Sequence, residues 1–357
     1  MRSRIRFFIL WVVTSLSSLT CMALEPPDSL CLSLLRSLPD FPNMASICGD
    51  NIHFQRSDSF RDSKESPLFI IVTNRELVRG RQRLHYSDNC APRLSYIAVY
   101  RHDDEYRLQT LPDLQEALPL LPDTRETLLY VHGYGRTFTN ILNESETIRR
   151  FYNVSLIVFD WPSKYPGVFE LKSYLYSKGN VDRSMPLFLT FLKEYEDCQK
   201  IYPDFGADKT TILLHSMGNA FLEKMIRKKK YDPVHKPLFD VALLNAPAVR
   251  KRGHRKWIKE TRLANQIVVL TNHKDPTLYG VFWLTLRKQL GRSRENQVRD
   301  GIRYVNLGNI AKGHHNYFIN QDLMRVHPSL KILYFSLISH IENDKLEECR
   351  LAEQATH

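Results

Sequence analysis

The stretch TTILLHSMGNAFLEKMI, from Thr210 to Ile226, joins an apolar run to a helix-patterned segment through a serine. The run up to Leu214 is short, apolar and rich in β-branched residues, which is typical of a strand buried on both faces. The helical pattern begins directly after Gly218. A buried strand that passes at once into a helix predicts a sharp turn that exposes the Ser216 hydroxyl at the carboxyl end of the strand. In open α/β sheets, functional groups gather at this end.

The alternation of short apolar runs with helical patterns continues on both sides of this stretch. Strands this apolar favour a mostly parallel sheet with helices on both faces, and hence an α/β fold. No helical pattern separates the first two strands, which predicts an antiparallel start. The predicted strands are residues 68–73, 94–100, 127–132, 155–161, 210–215, 239–246, 265–272 and 301–307, and the predicted helices are residues 139–152, 185–195, 218–230 and 328–341.

The composition is that of a globular protein with an excess of positive charge. The chain has 357 residues, of which 43% are hydrophobic and 25% charged, and its formal net charge is +11. This balance favours an anionic partner such as a membrane surface, although the clusters at Arg227–Lys230 and Arg250–Lys259 are more typical of a solvated helix end and loop. No zinc-finger spacing or aromatic RNA-binding motif accompanies them, which argues against nucleic acid.

The first residues read as a secretory signal peptide. Three arginines precede an apolar segment from Phe7 to Val13, and small residues follow, with a cleavage site near Ala23. We therefore expect an exported protein, with an uncleaved anchor or a lipid on Cys21 as alternatives. Export would permit disulfides, and Cys31 and Cys48 are the nearest pair. The predicted organisation is a signal peptide at residues 1–23, an N-terminal extension at 24–66, an α/β domain at 67–345 and a tail at 346–357.

A nucleophilic serine needs a histidine base and a carboxylate that orients it, in the chain order serine, acid, histidine. Downstream of Ser216, Asp275 follows a strand end, and His314 and His315 lie together in a later loop. The residues alone leave the choice between these two histidines open. The competing acids are Asp240, at the start of its strand, and Asp160, which precedes the serine; other histidines, His327 and His340, are expected on a helix surface or in packing. The alternative interpretations of Ser216 and Asp275 are helix-cap or turn residues.

The sequence also offers donors for an oxyanion hole. Met217 supplies the backbone N–H that follows the serine, and Tyr134 supplies a second one in the loop His132-Gly133-Tyr134-Gly135 after an early strand. One feature departs from the usual serine turn: Leu214 stands two residues before Ser216, where glycine is usual. A large side chain at this position either crowds the turn or requires the neighbouring helix to shift to accept it.

The motifs LLYVHGYGRTF, LIVFDWPS, ILLHSMGN, VVLTNHKDPTL and GHHNYF occur in this order. Together they resemble the bacterial α/β-hydrolases grouped as a domain of unknown function, DUF900, over roughly residues 68–340. The resemblance implies Ser216 as nucleophile, Asp275 as acid and His315 as base, with His314 as the alternative. It implies hydrolase chemistry without naming a substrate.

These observations support the hypothesis of an exported serine hydrolase of ester or thioester substrates, including lipid acyl groups, that needs no metal or organic cofactor. Trp161, Tyr134 and the segment Tyr279–Leu284 are candidates for lining an acyl pocket, with core packing as the alternative. The other hypotheses are a peptidase or amidase with the same triad, and a catalytically silent scaffold that binds an anionic envelope component. The oligomeric state is left open.

Overall fold

One mixed β-sheet lies at the centre of the chain in the computed structural model, which describes residues 52–55, 66–79, 84–102, 105–122, 126–165, 167, 170–202, 210–228 and 236–339. The strands of these residues are β1 (Ile52–Gln55), β2 (Phe69–Arg79), β3 (Leu84–His102), β4 (Glu105–Leu111), β5 (Thr127–Val131), β6 (Ser155–Asp160), β7 (Thr210–His215), β8 (Phe239–Asn245), β9 (Ala264–Thr271), β10 (Gln297–Arg299) and β11 (Ile302–Asn306). Their order across the sheet is β1-β4-β3-β2-β6-β5-β7-β8-β9-β11-β10.

The sheet is mostly parallel with an antiparallel start, as predicted. Strands β2, β3 and β4 pair antiparallel, whereas β2, β6, β5, β7, β8, β9 and β11 form a parallel series. In a parallel series all carboxyl ends meet at one edge. The segments that follow β5, β7, β9 and β11, which contain the candidate site residues, therefore lie at the same edge.

Helices pack on the sheet, and their bounds differ from the predicted ones. The helices of the described residues are α1 (Leu114–Ala117), α2 (Phe138–Tyr152), α3 (Glu170–Ile201), α4 (Asn219–Arg227), α5 (His254–Lys259), α6 (Pro276–Thr285), α7 (Gln321–Val326) and α8 (Pro328–Ile338). The longest of these, α3, has 32 residues and contains Pro186. The sequence pattern indicated only residues 185–195 because polar residues dominate the first half of this helix.

Alternate residues of the central strands enter two hydrophobic clusters. In β5, Leu129 and Val131 belong to one cluster, and Leu128 and Tyr130 belong to the other. Because successive side chains of a strand point to opposite faces, this alternation means that both faces of β5 are covered. The uninterrupted apolar run that predicted a doubly buried strand thus has its structural counterpart.

Some predictions differ from the fold, and others fall on residues outside the described ones. Ile52–Gln55, within the predicted extension, forms a strand parallel to β4. Strand β4 itself was not predicted. The basic segment after Arg250 contains the short helix α5, so it is not a plain loop. The predicted signal peptide, Cys21, Cys31, Cys48, His340 and the tail lie outside the described residues. Within the described part of the chain, no helix is long and apolar enough to cross a membrane.

Candidate active site

The turn after β7 holds Ser216 in an unusual backbone conformation. Ser216 has φ +50°, in the left-handed region that side chains other than glycine rarely adopt, and it begins a 3₁₀ turn, Ser216–Gly218, that leads into α4. A Cβ atom on Gly218 would lie 2.6 Å from the Val131 carbonyl oxygen and 2.8 Å from that of His132. The turn is therefore pressed against the end of β5, and only glycine fits at its third position.

Leu214 does not crowd this turn. Its side chain is fully buried in the hydrophobic cluster on one face of the sheet. Its carbonyl oxygen accepts a hydrogen bond from Asn219 Nδ2 at 2.7 Å. The expected conflict is absent because the leucine side chain extends into the core.

The structure brings Ser216, His315 and Asp275 into one hydrogen-bonded chain. His315 Nε2 lies 3.0 Å from Ser216 Oγ, and His315 Nδ1 lies 2.6 Å from Asp275 Oδ2. These residues are far apart in sequence but follow β7, β9 and β11, whose carboxyl ends share one edge of the sheet. An ionised carboxylate only accepts hydrogen bonds, so Nδ1 carries the imidazole hydrogen and Nε2 is left to accept the serine proton.

Asp275 has two contacts, one from each carboxylate oxygen. Oδ2 accepts from His315, while Oδ1 accepts from the Leu278 backbone N–H at 3.0 Å and so caps the N-terminus of α6. The carboxyl group is fully buried. The alternative interpretation of Asp275 as a helix cap is therefore confirmed, and the contact with His315 uses the other oxygen.

The loop that carries the two candidate histidines is fastened to the end of β9. Asn272 Nδ2 donates to the carbonyl oxygens of Lys312 at 2.8 Å and His314 at 2.9 Å. The His314 ring is instead near Asn320 Nδ2, at 3.0 Å from its Nδ1, and the residue is exposed. Of the two histidines, it is His315 that the structure places against Ser216.

His215, just before the serine, links the same loop to the core. Its Nδ1 lies 2.9 Å from Asn245 Nδ2, and its Nε2 lies 2.9 Å from Asn316 Oδ1. The Tyr334 hydroxyl donates to Asn245 Oδ1, so the amide nitrogen of Asn245 faces His215 and donates to it. His215 Nε2 then carries the hydrogen and donates to Asn316, which follows His315 directly.

The protonation state of His215 suits this contact. Burial lowers the pKa of His215 well below its usual range, and the neighbouring His315 and Arg136 lower it further. A neutral imidazole with a fixed tautomer is what the bonds to Asn245 and Asn316 require. We infer that His215 orients the loop of His315 through Asn316.

The loop after β5 approaches the serine closely. A Cβ atom on Gly133 would lie 2.8 Å from Ser216 Cβ, so a glycine is required there. The Tyr134 N–H that follows has no acceptor among the described residues, and the Tyr134 hydroxyl donates to Glu170 at 3.2 Å. The Met217 N–H lies in the serine turn itself. An oxyanion hole requires two such backbone donors from segments that meet at the serine.

A buried polar network of His132, Asp160 and Arg75 contacts the start of this loop. His132 Nδ1 lies 2.9 Å from the Gly133 carbonyl oxygen and Nε2 lies 3.0 Å from Asp160 Oδ1, while Arg75 Nε donates to Asp160 Oδ2 at 2.8 Å. Burial alone would raise the pKa of Asp160, but Arg75 and His132 outweigh it and hold the pKa well below its usual range. Asp160 is therefore an ionised anchor of the His132 loop.

The other competing residues lie elsewhere. Asp240 Oδ2 accepts from the Thr210 backbone N–H at 2.9 Å, at the amino end of β8. Trp161 is fully buried and stacks on His132 with ring centroids 5.4 Å apart, so it belongs to the core and does not line a pocket. Within the described residues, no group of three or more His, Cys, Asp or Glu side chains is arranged to hold a metal ion.

Sequence reasoning missed the residues that hold the site together: His215, Asn245, Asn272, Asn316 and Arg75. Three of them stand inside the quoted motifs, as the histidine before the serine, the asparagine before the His-Lys-Asp segment and the asparagine after the histidine pair. A polar residue within three positions of each candidate catalytic side chain was the available signal. Their partners lie far away in sequence, which is why the contacts themselves were not predictable.

Comparison with known proteins identifies the family of the chain. A family model described as "Alpha/beta hydrolase of unknown function (DUF900)" matches residues 113–334. This range is more than half of the 357 residues and includes the serine turn, the loop after β5, Asp275 and both candidate histidines. No curated protein matches the chain.

Proposed function

Because this chain belongs to the DUF900 family of alpha/beta hydrolases, we propose that it is a serine hydrolase that cleaves acyl esters or thioesters through an acyl-enzyme. The hydrogen-bonded chain from Ser216 through His315 to Asp275, with distances of 3.0 and 2.6 Å, carries the proposal. A buried carboxylate, an imidazole of fixed tautomer and a serine hydroxyl in that order form the arrangement that generates a serine nucleophile.

The proposed mechanism begins with the Ser216 hydroxyl. His315 Nε2 takes its proton as the oxygen attacks the carbonyl carbon of the substrate, and Asp275 stabilises the imidazolium that forms. The backbone N–H groups of Tyr134 and Met217 hold the oxyanion of the tetrahedral intermediate, and each such donor contributes about 3 kcal/mol. His315 then returns the proton to the leaving alcohol or thiol. Water, activated in the same way, releases the acyl group from Ser216.

The test is labelling with a fluorophosphonate probe, which reacts only with an activated serine. We expect Ser216→Ala to abolish labelling and His315→Ala to slow it by about 10⁴-fold or more, because the hydroxyl is unreactive without its base. Ser184→Ala is the matched control: its hydroxyl is also buried but accepts from Asn74 in the core, so labelling should persist.

Two other outcomes would point to the competing hypotheses. A folded wild-type protein that the probe does not label would contradict the proposal and favour the silent scaffold. Cleavage of peptide amides at rates comparable with short-chain p-nitrophenyl esters would instead favour a peptidase or amidase. The ester is expected to react faster because its leaving group departs without protonation.

A further inference from the structure

Helix α6, which begins at the proposed catalytic acid, exposes a stripe of large apolar side chains. The exposed fractions are 38% for Tyr279, 54% for Trp283 and 76% for Leu286. Tyr279 and Trp283 are spaced i and i+4, so they share one face of the helix, and Leu286 follows the last helical residue as its C-cap, with φ +52°. Leu278 and Val281 are buried and attach the other side of α6 to the protein.

The aromatic rings of this stripe contact one another. Trp283 packs edge-on against Phe282 and Tyr279, with ring centroids 5.4 and 6.0 Å away, and the Arg292 guanidinium lies 4.6 Å over the Tyr279 ring. The rings therefore form one patch held at the surface. An exposed patch of aromatic and aliphatic groups is unfavourable in water and marks a binding surface.

The stripe projects from the edge of the sheet that carries Ser216. The chain leaves this edge at Asp275 and returns at Gly291, whose carbonyl oxygen accepts from the Asn272 N–H at 2.8 Å and whose N–H donates to the Pro247 carbonyl oxygen at 2.9 Å. Residues 276–290, which include helix α6 and its exposed face, thus form an excursion, a loop that leaves and rejoins the sheet edge beside the candidate active site.

Basic residues from two segments gather next to this excursion. The Lys251 N–H donates to the Lys288 carbonyl oxygen at 2.8 Å, which joins the start of the basic segment after Val249 to the end of the excursion. The exposed members of this group are Arg250, Arg252, Arg287 and Lys288.

The nearby acidic charge is limited. No acidic residue occurs between Asp275 and Glu295. Glu295 pairs with Arg255 at 2.9 Å and lies 3.9 Å from Lys251, so its charge is directed to those two side chains. The positive charge of the four exposed basic residues beside the apolar stripe is therefore left largely uncompensated.

We propose that this aromatic-basic surface, formed by Tyr279, Phe282, Trp283, Leu286, Arg250, Arg252, Arg287 and Lys288, docks the protein on a lipid bilayer that contains anionic lipids. Aromatic and leucine side chains enter the boundary between headgroups and acyl chains, and arginine and lysine bind the anionic headgroups. Nucleic acid would use the basic and aromatic groups but not Leu286, the most exposed apolar side chain of the stripe. Membrane binding by this surface does not depend on the proposed hydrolase activity of Ser216.

The test is sedimentation of the full chain with phosphatidylcholine vesicles, with and without phosphatidylglycerol. We expect binding to the vesicles that contain phosphatidylglycerol and release at high salt. Replacing two charges in Arg287→Gln/Lys288→Gln should weaken partitioning roughly 30-fold, since each basic residue near an anionic surface contributes about fivefold. Trp283→Asp should weaken it by at least about tenfold because an inserted ring is replaced by a charge.

Matched controls come from α3. Ile201→Asp changes an apolar side chain of similar exposure, 50%, and Lys193→Gln removes an exposed charge; both should bind vesicles as the wild type does. Ser216→Ala should also bind normally, so failure of the proposed hydrolase function and failure of this proposal are distinguishable. Unfolding midpoints in urea check that each variant is folded.

Two results would overturn the proposal. Equal partitioning of wild type, Trp283→Asp and Arg287→Gln/Lys288→Gln would show that another part of the chain, such as the apolar N-terminal segment, binds the vesicles. Binding of short single-stranded DNA without binding of vesicles would assign the surface to nucleic acid.

Discussion

At the scale of single residues, the site depends on side chains that satisfy two partners at once. Asp275 is the clearest case, because one oxygen caps α6 through the Leu278 N–H while the other accepts from His315. The same helix cap that fixes the local fold thus fixes the direction of the second carboxylate oxygen. Structure and proposed chemistry are separable here because different atoms serve them.

This separation gives a prediction for two variants of Asp275. Asp275→Asn keeps a side-chain oxygen for the cap but loses the negative charge, so we expect stability close to wild type and a fluorophosphonate labelling rate about 10⁴-fold lower. Asp275→Ala loses both contacts, and its free energy of unfolding should in addition be lower by about 1 kcal/mol. Urea unfolding and labelling kinetics measure the two effects. Labelling of Asp275→Asn at a near wild-type rate would remove Asp275 from the proposed triad.

At the scale of elements, the site depends on the close approach of the turn after β7 to the end of β5. The two strands are adjacent and parallel, with Val131 opposite Leu214 in the register. The serine turn therefore meets the loop of Gly133 and Tyr134 directly. Glycines at 133 and 218 are what allow this approach, since a Cβ at either position would meet atoms of the other segment at 2.8 Å or less.

Two alanine substitutions test this packing. In Gly218→Ala the new methyl group meets backbone oxygens that cannot move without shifting β5, and we expect a loss of about 1–3 kcal/mol in the free energy of unfolding, together with slower labelling. Gly179→Ala in α3 is the control: no atom lies within 4 Å of its new Cβ, and the higher helix propensity of alanine should add about 0.5–1 kcal/mol. Equal stability of the two variants would contradict the close packing.

Element type was largely predictable from the sequence, whereas element length was less so. The central strands have a strong signal because both of their faces are buried, so their apolar runs are uninterrupted. The first half of α3, by contrast, has polar residues such as Lys172, Lys178 and Asp182 on its outer side, which hid the helical pattern. Helix α6 was missed because its apolar residues cover two faces, one against the core and one at the surface.

At the scale of the whole molecule, buried ionisable groups make stability depend on pH. The pKa of His215 is lowered in the folded protein, first by burial and then by His315. An unfolded histidine takes up a proton as the pH falls through about 6.5, while His215 in the folded state stays neutral. The unfolded state then binds more protons, so the free energy of unfolding decreases as the pH falls below about 6.5.

We therefore expect urea unfolding midpoints to fall steadily from pH 7 downwards. His215→Gln keeps polar atoms at this position but cannot be protonated, so its midpoint should be lower than that of the wild type at pH 7 yet change less between about pH 6.5 and pH 5. The control is His314→Gln, since His314 is exposed, and it should follow the wild-type curve. A His215→Gln curve parallel to the wild type would show that this histidine does not cause the acid sensitivity.

The sequence by itself determined the series of central strands, the mostly parallel sheet with its antiparallel start, and the family. These properties follow from local patterns: apolar runs, helical periodicity, and the strand-serine-helix junction at Ser216 are all readable within a few residues. It also placed three candidate side chains at strand ends, which a parallel sheet must gather at one edge.

Only the tertiary structure decided which histidine meets Ser216, what Asp160 does and where the aromatic residues of α6 lie. His314 and His315 are neighbours in one loop, and their choice depends on how Asn272 and His215 fasten that loop from two other strands. The charge of Asp160 is held by Arg75, which is 85 residues away in sequence. The exposure of Trp283 depends on which side of α6 packs against the core. Each of these is a contact between distant segments, whose geometry arises when the sheet brings them together.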